Sequence, residues 1–246
     1  MMEKKYKLTE ETINVDGRTL YCIEALKDFN DVKKGDKGGF IENENNLSQS
    51  DYCWVYENAK VYGNAKVYDN ANVLNNARVS DNARVSDNAK VCGNALVCGN
   101  AVVYDNAEIS GDAKIFGNAQ IRCDAVVCED AKIYGHVIVC GNADVYGNAR
   151  IYGNAEVSGN AQVFGNTEIR GDAVITSKSD YILFKNWWSS GRFFTWTRSN
   201  NMWKVGCFYG TGKELIDKAY KDSEMSGEEY ERVVKYVEAI LKANKL

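Results

Sequence analysis

From Val55 onward the chain places Val or Ile at every sixth residue up to Ile175, without exception over 21 positions. Four residues after each comes alanine, with Val137 and Thr167 the departures up to Ala173. The residue before that alanine is Asn or Asp in every repeat but one, where it is His136. The unit reads Val-x-Gly/Asp-Asn-Ala-x, as in Val61-Tyr62-Gly63-Asn64-Ala65-Lys66. Val and Ile are β-branched and suit a short strand with a buried inner face. Gly-Asn and Asp-Asn supply residues that tolerate positive φ, as a sharp corner needs. Alanine fits where the chain turns inward and a larger side chain would collide across a narrow core. Three strands and three corners close one triangular coil. The repeats therefore predict about seven coils stacked about 4.8 Å apart, a prism roughly 34 Å long.

This pattern resembles the hexapeptide-repeat superfamily, whose left-handed parallel β-helix is shared by many acyltransferases. The expected fold is an all-β solenoid of that kind over 51–176. An N-terminal β cap over 1–50 and a small C-terminal α+β domain over 177–246 flank it. The lead-in segment Gly38-Gly39-Phe40-Ile41-Glu42, Asn46-Leu47-Ser48 and Cys53-Trp54-Val55-Tyr56 resembles uncharacterised hexapeptide proteins of bacteriophages and prophages. Gly206-Cys207-Phe208-Tyr209-Gly210-Thr211 is similar to a small C-terminal module of phage proteins. The resemblance implies a mobile-element origin and frequent trimers, with ligands held between subunits.

Both ends of a β-helix expose unpaired strand groups and need covering. Val15-Asp16-Gly17-Arg18 predicts a hairpin turn in the first cap. Ile41 and Leu47 keep the six-residue step, but the next member would be Cys53, not Val55, so an irregular first coil is expected. Beyond Asp180 the runs 181–184, 193–197 and 203–208 read as strands, with Trp187, Trp188, Trp196 and Trp203 as core or, alternatively, as an aromatic binding groove. Two helices follow, with capping boxes at Thr211/Glu214 and Ser226/Glu229. The second has an apolar face of Tyr230, Val233, Val234, Val237, Ile240 and Leu241.

The 246 residues carry 30 basic and 34 acidic side chains, a net charge of −4, which argues against a long nucleic-acid partner. No signal peptide is read at the N-terminus, and no apolar run approaches the ~18 residues of a membrane span. Eight cysteines without a C-x-x-C pair, and one histidine, predict reduced thiols, no metal and no cofactor. A cytoplasmic location follows, that of a bacterial host for a phage-encoded protein. The single histidine also excludes a carbonic anhydrase of this fold.

Residues flanking each buried Val or Ile should point outward, and every third repeat should share a face. One face then carries Lys60, Arg78, Leu96, Lys114, Lys132, Arg150 and Glu168 beside Tyr62, Ser80, Cys98, Phe116, Tyr134, Tyr152 and Arg170. Cations interleaved with rings suit phosphate binding plus stacking of a base. Lys114, Phe116, Lys132, Tyr134, Arg150 and Tyr152 are the candidate ligand site. A solvated sheet face is the plainer reading of the same residues. Another face carries Val102, Tyr104 and Ile138, the candidate subunit interface.

The resemblance makes His136 the candidate base of an acyltransferase using acyl-CoA, against a plain corner substitution. No loop interrupts the repeats, whereas acyltransferases of this kind commonly extrude one. The favoured expectation is a non-catalytic oligomeric binding or scaffold protein that sequesters a small anion such as a signalling nucleotide. An acyltransferase and a purely structural rod are the alternatives.

Overall fold

The computed structural model describes residues 3–187 and 191–243. The chain divides into two compact units, Met1–Lys178 and Ser179–Leu246. In the first, β1 (Tyr6–Val15) and β2 (Arg18–Ala25) form an antiparallel hairpin whose turn holds Asp16 and Gly17 at φ 51° and 81°. β3 (Lys37–Ile41) pairs with β2 on one side and, in parallel, with Lys60–Val61 on the other. It is thereby the first rung of the prism. The Lys60 face runs through eight parallel rungs, from β3 to Glu168–Ile169, one more than the repeats alone predict. The two other faces have seven rungs each.

Each rung after the first pairs with the residue eighteen positions on, as Val55 with Val73 and Val61 with Val79. Before Val55 the offset is twenty: Ile41 pairs with Val61 and Leu47 bridges to Val67. The two extra residues fall between Leu47 and Val55, where the sequence breaks its step. All 21 Val and Ile of the repeat are buried, as are the alanines and their replacements Val137 and Thr167. Rung-to-rung backbone bonds, such as Lys114 N–H to the Ala131 carbonyl at 2.9 Å, satisfy the strand groups along the prism.

The corners divide their two positions between two tasks. The first residue takes positive φ, including Asp69, Asp81, Cys123 and Glu129 as well as the glycines. Gly135, at φ 89°, could not be replaced cheaply: a β-carbon there would lie 2.7 Å from the Gly153 carbonyl oxygen. The second residue stacks its amide on the next coil. Asn64 donates to Asn82, Asn82 to Asn100 and Asn100 to Asn118, at 3.0–3.1 Å.

Trp54 breaks the outward rule. It is buried, with Tyr6 and Phe29 edge-on at 6.1 and 5.3 Å, because the cap folds over this rung. Lys5 is buried beside them and donates to the carbonyls of Ser50 and Cys53 at 3.1 and 2.8 Å.

The second unit is a four-stranded antiparallel sheet, Tyr181–Lys185, Phe193–Thr197, Met202–Val205 and Phe208–Gly210, with helices α1 (Gly212–Asp222) and α2 (Glu224–Ala243). The expected run 203–208 is two strands, because Gly206 at φ 54° opens a two-residue turn between Val205 and Phe208. Phe194, Trp196, Trp203, Leu215, Val234 and Val237 form the core. Trp187 is exposed, and Trp188 lies outside the described residues. The capping box at Thr211 and Glu214 is present. The one expected at Ser226 and Glu229 is not. α2 begins at Glu224, three residues before the start that an N-cap at Ser226 implies, and the Ser223 hydroxyl accepts from the Ser226 N–H at 3.1 Å.

Candidate functional site

Lys114, Lys132 and Arg150 are direct cross-strand partners on three successive rungs. Their side chains face out because Ile115, Ile133 and Ile151 beside them face in. On the other flank of those isoleucines stand Phe116, Tyr134 and Tyr152. Tyr134 stacks on Phe116 at 4.8 Å between ring centroids and on Tyr152 at 4.9 Å, each pair 6° from parallel. The six candidate ligand residues therefore share one patch, a column of cations beside a column of rings.

The stacking has a chemical consequence. Both faces of Tyr134 are covered by neighbouring rings, and the Arg170 guanidinium lies 5.5 Å from the centre of Tyr152. A base has no open face on Tyr134 to stack against. What the ladder presents outward is ring edges and phenol hydroxyls. Burial, then the Glu168 carboxylate, pushes both the Tyr134 and Tyr152 phenols upward, so both stay protonated. The Tyr152 hydroxyl donates to Glu168 Oε2 at 3.3 Å, and Arg150 Nη1 lies 3.9 Å from Glu168 Oε1. Glu168 thus engages the far end of the cation column, and Lys114 and Lys132 are left as its open charges.

Toward the N-terminal end the same column meets a groove of about 570 Å³ lined by Ile13, Asn14, Asp16, Phe40, Lys60 and Arg78. Burial, followed by the Arg78 charge, lowers the Lys60 amine. Lys60 donates to the Asn58 carbonyl at 2.7 Å. Sequence reasoning placed Lys60 and Arg78 on this face but missed the groove. Its second wall is the β1–β2 hairpin, whose position no repeat spacing encodes.

His136 lies at an exposed corner in the asparagine ladder, its Nε2 3.4 Å from Asn118 Nδ2. No carboxylate orients its ring among the described residues. Val102 and Tyr104 share a rung, and Ile138 lies two rungs on, with Gln120 between. All three are half-buried. No group of three or more His, Cys, Asp or Glu side chains among the described residues is placed to hold a metal ion. No helix among them is long and apolar enough to cross a membrane.

Comparison with known proteins agrees with this geometry at the level of the repeat. Residues 77–93 and 149–165 match the family described as YdcK beta solenoid repeat. A curated protein named "Uncharacterized acetyltransferase YdcK", from Escherichia coli (strain K12), is 38% identical over 66 residues. That match covers 24% of this chain and 20% of the relative, so the chain spans about a fifth of the length of the protein it resembles. By its repeat and its architecture, the chain is a β-helix repeat protein, with repeats similar to those of YdcK.

Proposed function

We propose that the protein is a binding protein for small polyanions, and that it holds phosphate oxygens along the wall of Lys114, Lys132 and Arg150. The observation that carries this reading is the register of three cations on adjacent rungs, with Lys114 and Lys132 as open charges beside the protonated Tyr134 phenol. Rungs about 4.8 Å apart let neighbouring cations share one oligophosphate. Because the rings cover one another, affinity comes from charge and hydroxyl edges rather than from stacking. A nucleotide is then bound by its phosphates. In the narrowest form of this reading, a phage-encoded protein sequesters a host signalling nucleotide. The reading includes a homotrimer with Val102, Tyr104 and Ile138 between subunits.

Titration of cyclic and linear nucleotides, followed by thermal shift, tests it. A ligand that binds only the folded state raises the melting temperature. Stabilisation of the wild type, and less of Lys132→Glu, is expected. Equal stabilisation of both proteins, or none by any nucleotide, leaves a solvated wall and a structural rod.

One observation favours a second reading. The matched relative is named as an acetyltransferase, and His136 is the residue able to serve as its base here. Acetyl-CoA binding followed by acetyl transfer that falls ~10²–10⁴-fold in His136→Asn would establish that reading. Full activity in that variant, or no transfer, removes it.

A further inference from the structure

A second concave site lies in the C-terminal unit, in a segment that the polyanion reading does not use. It is a pocket of about 330 Å³ between α1 and the turn joining Met202–Val205 to Phe208–Gly210. Its floor is core material: Val205, Leu215 and Ala219 are buried. Phe208 and Tyr230 add partly buried ring surface. The mouth is polar, with two cations, Arg192 and Lys218, one carboxylate, Asp222, and the exposed thiol of Cys207.

The motif Gly206-Cys207-Phe208-Tyr209-Gly210-Thr211 builds one wall. A β-carbon at Gly206 would lie 3.2 Å from Arg192 Cδ and 3.4 Å from its Nε, so the glycine lets the arginine lie close across the turn. The buried Lys204 amine donates to the Gly206 carbonyl and pins the same turn. A β-carbon at Gly210 would lie 2.7 Å from the Phe208 ring, so this glycine lets that ring pack close against the backbone. Neither Arg192 nor Lys218 forms an ion pair with a carboxylate among the described residues. The mouth therefore has a surplus of uncompensated positive charge over an apolar floor. Apolar walls with a few convergent polar groups are the usual make-up of a small-molecule site.

We propose that this pocket binds a small organic anion. Its apolar body lies against Phe208, Leu215 and Ala219, and its carboxylate or phosphate head lies between Arg192 and Lys218. The proposal does not depend on the polyanion wall of the prism. A matched pair of probes separates the two parts of the claim: phenylbutyrate, and phenylbutanol, which keeps the body and drops the charge.

Amide chemical shifts of the full-length protein, followed during titration, read the binding site directly. Roughly millimolar affinity is the level expected for a ligand this small. The Phe208, Leu215 and Ala219 amides should move with both probes, and phenylbutyrate should bind more tightly. Lys218→Glu and Arg192→Gln, both on exposed side chains, should each weaken phenylbutyrate by about three- to tenfold and leave phenylbutanol unchanged. Alkylation of Cys207, mapped by mass spectrometry, should slow when phenylbutyrate is bound. Unmoved amides at roughly millimolar phenylbutyrate, or unchanged phenylbutyrate affinity in both variants, would overturn the proposal.

Discussion

Ala119 has no exposed surface and points into a coil whose other inward residues are isoleucine, valine and alanine. Ala119→Leu should overpack that coil and cost about 1–3 kcal/mol, seen as a lower melting temperature. An unchanged melting temperature would mean that the column does not face inward. His136→Asn restores the corner amide beneath Asn118 and should leave stability nearly intact. Three phenols set the alkaline limit. Tyr6, Tyr56 and Tyr152 are each pushed well above the ordinary value of 10.0, first by burial. A raised folded value favours the protonated form, so this contribution is complete below pH 10 and is lost as pH rises through the folded values. Lys5 and Lys60, both lowered first by burial, act in the opposite sense, but they are two groups against three. The melting temperature should fall as pH rises from 10 to 12, and Tyr56→Phe, which loses its bond to Asp31, should flatten that fall. A melting temperature that rises over the same range would contradict the assignment. At this scale the sequence is readable wherever the constraint is local. Val, Ala and the positive-φ corner are each set by sterics within one repeat. Trp54 is not readable in this way, because Tyr6 and Phe29 bury it from far along the chain.

The rungs were legible as elements because their spacing is fixed by coil closure. Even the slip before Val55 has its counterpart in the change of offset from twenty to eighteen residues. The eighth rung was hidden because β3 carries Gly38 and Gly39 where the repeat would put side chains. A β-carbon on Gly38 would lie 2.5 Å from the Val55 carbonyl oxygen. In the C-terminal unit, the start of α2 was misplaced because Ser223 and Ser226 both carry a capping hydroxyl, and only geometry tells which one turns toward the other's N–H. This makes a discriminating pair of variants. Ser223→Ala should cost about 0.5–2 kcal/mol in chemical denaturation, and Ser226→Ala much less. The reverse order would restore the start that the spacing of Ser226 and Glu229 suggests.

At the scale of the whole molecule, the candidate ligand residues were legible as a column because every third repeat returns to one face. The closed ring ladder was not, because its stacking depends on side-chain rotamers that spacing does not set. That ladder changes what the wall can recognise, from base plus phosphate to phosphate alone. For the proposed trimer, Ile138→Lys should lower the mass found by light scattering, and a monomeric wild type at micromolar concentration would reject the interface. The most direct test of the central proposal uses a polyanion with no base. Calorimetric titration of tripolyphosphate should give saturable binding that weakens as salt rises, since exposed charges are screened. Lys132→Glu should weaken it about tenfold, whereas Lys90→Glu, on another face and already paired with Glu108 at 3.5 Å, should leave it nearly unchanged. Absence of binding, or equal binding by the wild type and Lys132→Glu, would contradict the account.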